Sequence, residues 1–412
     1  SSLADAAAFQ AALAVLGQRR PKDPLVVVSA LGAGPERLKV TDALLAIGRA
    51  AREGQAEPLL EAVRARHLAL LRDLDLPADL LDEAFRHLEA DLAAAPQAAS
   101  LAEALDRVAG WGERLSAGIM AAALRREGWD CRAASPEELH LVTDARFGDA
   151  SVLPEAYSEI ANRVIASREL LVVPGFVGVT EDGRPTTLGR GGSDYTAAVL
   201  GAALKRDVEI WTDVDGVAMA DPNLFERRMR DEGHPRSIPE LSHEEAYQMA
   251  AFGSRVLYAK VMEAARVAAR RGRHLRLAVR NTFNPSHPGT ALVSHTSTDG
   301  AARGLTRLPG VQVLTVYLDR EEGILQLMED VQRLTDVRLL MASYSTGRAA
   351  LVFDRLTPEL EALEQRYADA HLSRDQVLVK VVGDGMGGNQ TVLGQIHQSL
   401  AQAEDPARFG AE

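Results

Sequence analysis

Apolar positions change period along the chain, and the changes mark out its elements. Leu25-Val26-Val27-Val28-Ser29-Ala30 is a β-branched run ending in small residues, the pattern of a buried parallel strand whose following turn is open to ligand. From Asp42 to Leu124 apolar residues recur every three or four positions, which predicts alanine-rich helices punctuated by Pro58, Pro77 and Pro96. Leu170-Leu171-Val172-Val173, followed by Pro174-Gly175-Phe176, predicts a second buried strand, and Val208 to Thr212 a third. Thr196 to Leu204 reads as a helix between them. Strands alternating with helices indicate an α/β sandwich with a mainly parallel sheet.

Near Ser294 to Gly304 the composition turns to Ser, Thr and Gly, a linker signal that places a domain boundary near residue 296. A smaller β-α-β pattern follows. Val311–Leu318 and Val337–Tyr344 alternate like strands around a helix at Gly323–Leu334. Ala349–Phe353 adds a strand and Pro358–His371 a helix. A strand at Val377–Val382 and a helix at Asn389–Leu400 then suggest a second, half-complete copy of the module.

Composition narrows the function classes. With 412 residues, about two to three domains are expected. No apolar run reaches membrane-spanning length. The net charge of −12 lacks the basic surface that nucleic-acid binding uses, while local arginines could still hold a small anion. The single cysteine, Cys131, excludes an intramolecular disulfide and a multi-cysteine metal site, and it has no activating basic cluster. The histidines His67, His87, His140 and His243 have no metal-site spacing, so no metal ligands are assigned. No charged-then-apolar leader opens the chain, and the expected compartment is the cytoplasm. Basic residues are mostly arginine; the lysines are Lys22, Lys39, Lys205, Lys260 and Lys380.

The sharpest local feature is Thr187-Leu188-Gly189-Arg190-Gly191-Gly192-Ser193-Asp194-Tyr195. Its glycines allow close backbone approach, Ser193 or Asp194 could cap the next helix, and Arg190 could grip a carboxylate or phosphate. A plain Gly-rich connection with a solvated arginine accounts for it equally well. Trp111-Gly112-Glu113-Arg114-Leu115-Ser116 puts Glu113 on a helix rich in alanine and leucine, where an exposed i,i+4 partner is the ordinary role. Trp211-Thr212-Asp213-Val214-Asp215-Gly216, with Asp221-Pro222 after it, places carboxylates at the end of a strand, which suits either a nucleotide site or a turn.

Together these segments resemble the aspartate kinase family. Phe252-Gly253-Ser254-Arg255-Val256-Leu257, Val279-Arg280-Asn281-Thr282-Phe283-Asn284-Pro285 and Pro288-Gly289-Thr290 match its motifs too, in the same order. The resemblance implies an amino-acid-kinase-like αβα sandwich over residues 1–295, then ferredoxin-like (βαββαβ) ACT regulatory modules over 305–412, the second incomplete. It implies transfer of the γ-phosphoryl group of MgATP to the β-carboxylate of L-aspartate, with Mg²⁺ carried by the nucleotide. Arg190 would bind a substrate carboxylate and Glu113 its amino group. Thr41, Gly191, Gly192 and Ser193 would complete that pocket, and Asp194 would organise the catalytic centre with Arg190. Ser29, Thr212, Asp213, Asp221, Arg255 and Val256 would hold ATP. Lysine or threonine would bind near Asp319, Gly323, Ile324 and Ser343, and paired ACT modules imply a homodimer or larger.

The chain also departs from the family. A Lys-Phe-Gly-Gly strand end would precede Ser1-Ser2-Leu3, and its lysine would lie against the transferring phosphoryl group. The expectation is that the chain as written is catalytically impaired. Ala218, Asn223 and Arg255 stand where Tyr, Arg and Lys are common, and the insertion from Gly32 to Val40 loosens the assignment of Thr41. Beyond Leu400, the rest of a module or a fused homoserine dehydrogenase or decarboxylase domain would fit the family. The alternatives are a non-catalytic amino-acid-binding regulatory subunit on the same fold and another amino-acid kinase of the superfamily.

Overall fold

The computed structural model of the chain describes residues 3–19, 25–34, 38–51, 56–220, 237–252, 258–296, 301–318, 322–345, 347–386 and 389–401. Its first part opens with α1 (Ala6–Arg19) and β1 (Leu25–Val28). The alanine-rich stretch forms α2 (Val40–Ala50), α3 (Glu57–Asp73), α4 (Asp82–Ala94), α5 (Leu101–Ala109) and α6 (Trp111–Arg126). The prolines punctuate it as predicted, with Pro58 in the first turn of α3 and Pro96 in a 3₁₀ turn after α4. Then follow β2 (Cys131–Ala133), α7 (Ala156–Ala166), β3 (Leu170–Pro174), the hairpin β4 (Val177–Val179) and β5 (Pro185–Thr187), α8 (Gly192–Leu204) and β6 (Val208–Thr212). After residue 236 come β7 (Glu240–Ser242), α9 (His243–Ala251), α10 (Ala259–Arg270), β8 (Leu277–Asn281) and β9 (Thr290–Val293).

Strand β3 explains the layering. Leu170 and Val172 point into a core with α2 to α6, while Leu171 and Val173 point into a second core with α7, α8, α9 and α10. Alternating side chains enter opposite faces, so a strand apolar at every position needs helices on both sides. β3 pairs in parallel with β1 and β2, and a second sheet runs β6-β8-β9-β7, parallel except between β8 and β9. The predicted single sheet is therefore present as two half-sheets.

A cleft of about 770 Å³ separates the halves. Leu25 to Ser29 line one side and Val208 to Trp211 the other, with α1 (Ala12, Val15, Leu16) and α8 (Ala197, Leu200, Leu204) also lining it. The two edges run in the same direction. β6 begins beside Gly201 near the end of α8, and β1 ends where Gly175, bonded to the Val28 carbonyl, abuts Ser193 at its start.

The second part contains β10 (Gly304–Tyr317), α11 (Glu322–Gln332), β11 (Leu339–Ser345), β12 (Arg348–Phe353), α12 (Pro358–Arg366), β13 (Ala370–Val382) and α13 (Gln390–Ala401). Its antiparallel sheet runs β11-β12-β10-β13, a βαββαβ unit with its own core of Leu314, Val316, Leu327, Leu351, Phe353 and Leu360. Two expectations change. The strand expected at Val311–Leu318 begins instead at Gly304, running through Pro309-Gly310 with only a register shift. The strand expected at Val377–Val382 starts at Ala370 and pairs with β10, closing this unit rather than opening another.

Candidate active site

The chemistry-bearing residues gather at the carboxyl ends of β1, β3 and β6, the ligand-binding edge of an open α/β sheet. Glu113 lies in the first turn of α6 and is buried, not the exposed partner that its helix position suggests. Its carboxyl takes the Ala30 amide, from the turn after β1, and its Oε2 has no partner. Burial raises its pKa from 4.5 to about 8. Gly112 makes this approach possible, because a Cβ there would stand 2.7 Å from the Ala30 Cβ and 3.2 Å from Val40. Thr41 follows Val40 in the first turn of α2, so the Thr41 and Glu113 segments meet at Ala30.

Opposite stands the glycine-rich connection. Helix α8 begins at Gly192, four residues before the predicted start, and its N-cap is Gly191 at φ +70° with no side-chain cap. Ser193 and Asp194 therefore sit inside the first turn rather than capping it; the Gly192 amide donates to the Gly189 carbonyl, and no side chain caps the amides of Ser193 and Asp194 that follow, which suits an anion. Arg190 is exposed, its guanidinium 5.7 Å from the centre of the Tyr258 ring, and the same ring closes over Gly191. Asp194 borders the cleft together with Ser29 and Ser193, and burial lifts its carboxyl to about 7.

At the end of β6, the Thr212 hydroxyl donates to Asp213, which is exposed. Asp215 accepts from the Asn281 and Asn284 amides at 2.8 and 3.0 Å, and Thr290 Oγ1 accepts from the Val217 amide while donating to the Ile238 carbonyl. The later motifs thus brace the Asp-Gly turn. Asp221, Asn223, Arg255 and Val256 lie outside the described residues, as does Asp319. Gly323 and Ile324 open α11, where Gly323 and the carbonyl of Gly347 both touch Leu318; Ser343 lies on β11, opposite Ala350. Cys131 is buried and donates to the Ala121 carbonyl, a packing role. Among the described residues no group of three His, Cys, Asp or Glu could hold a metal, and no helix is long and apolar enough to cross a membrane.

Sequence reasoning missed three residues. Asp106 on α5, nearly fully buried, accepts from the amides of Gly148 and Thr187 and from the Thr187 hydroxyl. Lys260 on α10 donates to the carbonyls of Asp149, Ala150 and Leu188. Tyr258 supplies the ring beneath Arg190. No motif points to them, because their partners are 42 to 111 residues away in sequence.

An α/β sandwich with a glycine-rich helix start and a buried carboxyl at its strand ends has the layout of a small-molecule-binding α/β protein. Residues 1–275 match the model of the amino acid kinase family, and the chain belongs to that family. It is 29% identical over 409 residues to aspartokinase 3 of Bacillus subtilis, covering 93% of this chain and 85% of that one. It is also 29% identical to an aspartokinase of Mycobacterium bovis over 72% of each chain. It spans 43% of a chloroplastic bifunctional aspartokinase/homoserine dehydrogenase of Arabidopsis thaliana, at 28% identity. Among solved structures, E. coli aspartokinase III in complex with lysine and aspartate (T-state) superposes with a TM-score of 0.73 at 25% identity, over 96% of this chain and 88% of that one.

Proposed function

We propose that the chain is an aspartate kinase, transferring the γ-phosphoryl group of ATP to the β-carboxylate of L-aspartate. The observation that carries the reading is a buried carboxyl on Glu113 whose Oε2 has no partner, together with an exposed Arg190 just ahead of the N-terminus of α8, which has no side-chain cap. An amino acid presents an ammonium and carboxylates, and these two side chains offer the complementary charges. Its ammonium favours the ionised Glu113, and Arg190 takes a carboxylate in a bidentate fork. A β-carboxylate oxygen forms the new P–O bond while the bond from the γ-phosphorus to the bridging oxygen breaks, and ADP leaves. Positioning and charge neutralisation accomplish most of this, through Arg190 and the amides of Ser193 and Asp194. Asp194, at the mouth of the cleft, orders the catalytic centre.

Ser29, Thr212 and Asp213 hold the nucleotide, and the same role falls to Asp221, Arg255 and Val256, which lie outside the described residues. Mg²⁺ arrives on the nucleotide phosphates. Residues 1–295 form the kinase domain and residues from 305 onward the regulatory region, which responds to lysine or threonine and pairs with a second copy. The exposed Met341, Tyr344, Val377 and Val379 on its sheet support that pairing. The working compartment is the cytoplasm.

A coupled assay of ADP formation with aspartate varied, on the chain extended ahead of Leu3 by a strand ending in Lys-Phe-Gly-Gly, tests the reading. Saturable, aspartate-dependent turnover is expected, and turnover absent at every aspartate concentration overturns it. Absent ATP binding by calorimetry would favour a regulatory subunit instead, the reading that Ala218 supports.

A further inference from the structure

We infer that Asp106 and Lys260 are positioning residues that hold the Thr187–Arg190 segment from two sides, so that Arg190 presents one geometry to a substrate carboxylate. The inference deepens the aspartate kinase reading and rests on it for the identity of the substrate. Arg190 stands between Gly189 at φ +75° and Gly191 at φ +70°, so its own backbone supplies little rigidity. Restraint must come from either side of the glycines. After them, Gly192 is locked into α8. Before them, Thr187 and Leu188 are held by the buried Asp106 and the half-buried Lys260.

Asp106 takes the amide of Thr187 at 2.8 Å and its hydroxyl at 2.6 Å, and the same carboxylate takes the Gly148 amide at 2.8 Å. From the other side the Lys260 ammonium reaches the Leu188 carbonyl at 3.1 Å, the Ala150 carbonyl at 3.1 Å and the Asp149 carbonyl at 2.8 Å. Its side chain is 15% exposed and also pairs with Asp149 Oδ1 at 2.5 Å. Both groups therefore tie the segment to the same loop, residues 148–150, whose Ala150 amide bonds the Thr187 carbonyl. An acid supplies acceptors where the segment offers N–H and O–H, and an ammonium supplies donors where it offers carbonyls. Neither side chain can replace the other.

The two clamps come from opposite sides of the site. Asp106 is on α5, the helix before the Glu113 turn. Lys260 is on α10, two residues from the Tyr258 ring under Arg190. Arg190 is thereby referenced to the helix before the residue that would take the substrate ammonium and to Tyr258 at the start of α10. A charge held in register with two remote partners loses little order on binding.

Asp106→Asn keeps the volume and removes an acceptor; Lys260→Met keeps most of the stem and removes the donors. Calorimetry with L-aspartate and with ADP, and hydrogen exchange of the amides of residues 187–192, test both variants. The expected result is aspartate affinity weakened by about tenfold or more, with ADP affinity unchanged and exchange accelerated only in that segment. Unchanged aspartate affinity and exchange in both variants overturn the inference. So does an equal loss for both ligands with a lowered melting temperature, which marks a merely structural role. If the parent protein binds no aspartate, the substrate reading fails, and the exchange measurement still decides the clamp: local acceleration upholds it and unchanged exchange overturns it.

Discussion

Glu113 concentrates the chemistry of the site in one side chain. Its pKa of about 8, against 4.5 in solution, means that the folded protein retains a proton that the unfolded chain has lost. Stability from this group is present below pH 4.5 and is lost as pH rises from 4.5 to about 8. Glu113→Gln should abolish that slope, so urea melts of the variant and parent should diverge as pH rises; parallel curves would refute the buried neutral acid. Ligand binding reads the same proton. An incoming ammonium favours the ionised carboxyl, so aspartate binding near pH 6.5 should release close to one proton. Calorimetry in two buffers of different ionisation enthalpy measures it, and identical enthalpies would count against Glu113 as the ammonium partner. None of this could be read from Trp111 to Ser116, because a helical glutamate looks the same whether solvent or Ala30 lies opposite. The pattern located the residue, and the burial came from an approach that Gly112 permits.

Helix α8 was legible in the sequence because its glycines and small residues mark a close-packed start, yet its first turn was misplaced by four residues. A helix capped by Gly191 carries no side-chain signature, whereas the serine and aspartate just inside it imitate one. The cap makes a prediction of its own. Gly191→Ala should cost about 2–3 kcal/mol in chemical denaturation, part from the left-handed backbone and part from the Tyr258 ring. In a Tyr258→Ala background only the backbone share, about 1–2 kcal/mol, should remain, and full additivity would show that the ring plays no part. Helix α9 links the two halves of the molecule. Glu245 accepts from the Ser242 amide in a capping box, and its other oxygen accepts from the amide of Asp384 beyond β13. Glu245→Ala should cost about 1–3 kcal/mol and blunt any effect of lysine or threonine on kinase rate, since it removes both the cap and the contact. Unaltered inhibition in a folded variant would place the coupling elsewhere. The cap is visible as Ser242-His243-Glu244-Glu245, but the partner 139 residues on is not.

Across the whole molecule, the alternation of strands and helices announced the sandwich, while the division of its sheet did not appear in any local pattern. β1 and β6 read as interior strands because they are apolar, and each is paired on one side only among the described residues. Their free edges run parallel across a cleft that α1 and α8 line with alanine, valine and leucine. Arg19 of α1, which lines the cleft, pairs with Glu209 of β6 at 3.4 Å. A gap with a strand edge on each side and apolar helices above and below has the chemistry of a strand position. Leu3 lines it as well, which places the chain ahead of α1 at the cleft. Joining an apolar strand of about six residues ahead of Leu3, ending in Lys-Phe-Gly-Gly, should fill it, because a typical strand has that length. Main-chain bonds would form to β1 and β6, and alternate side chains would enter the layers of α1 and α8. Melting temperature should rise by about 5 °C or more, since burial of a few side chains contributes several kcal/mol against the entropy of ordering. Aspartate-dependent ADP formation should rise with it, because the added lysine would stand at the mouth of the cleft near Ser29 and Asp194. A scrambled polar extension of equal length supplies the control. If the apolar extension melts with the control and gives no gain in turnover, the cleft is not a strand position, and Arg190 with the α8 amides must neutralise the transferring group alone.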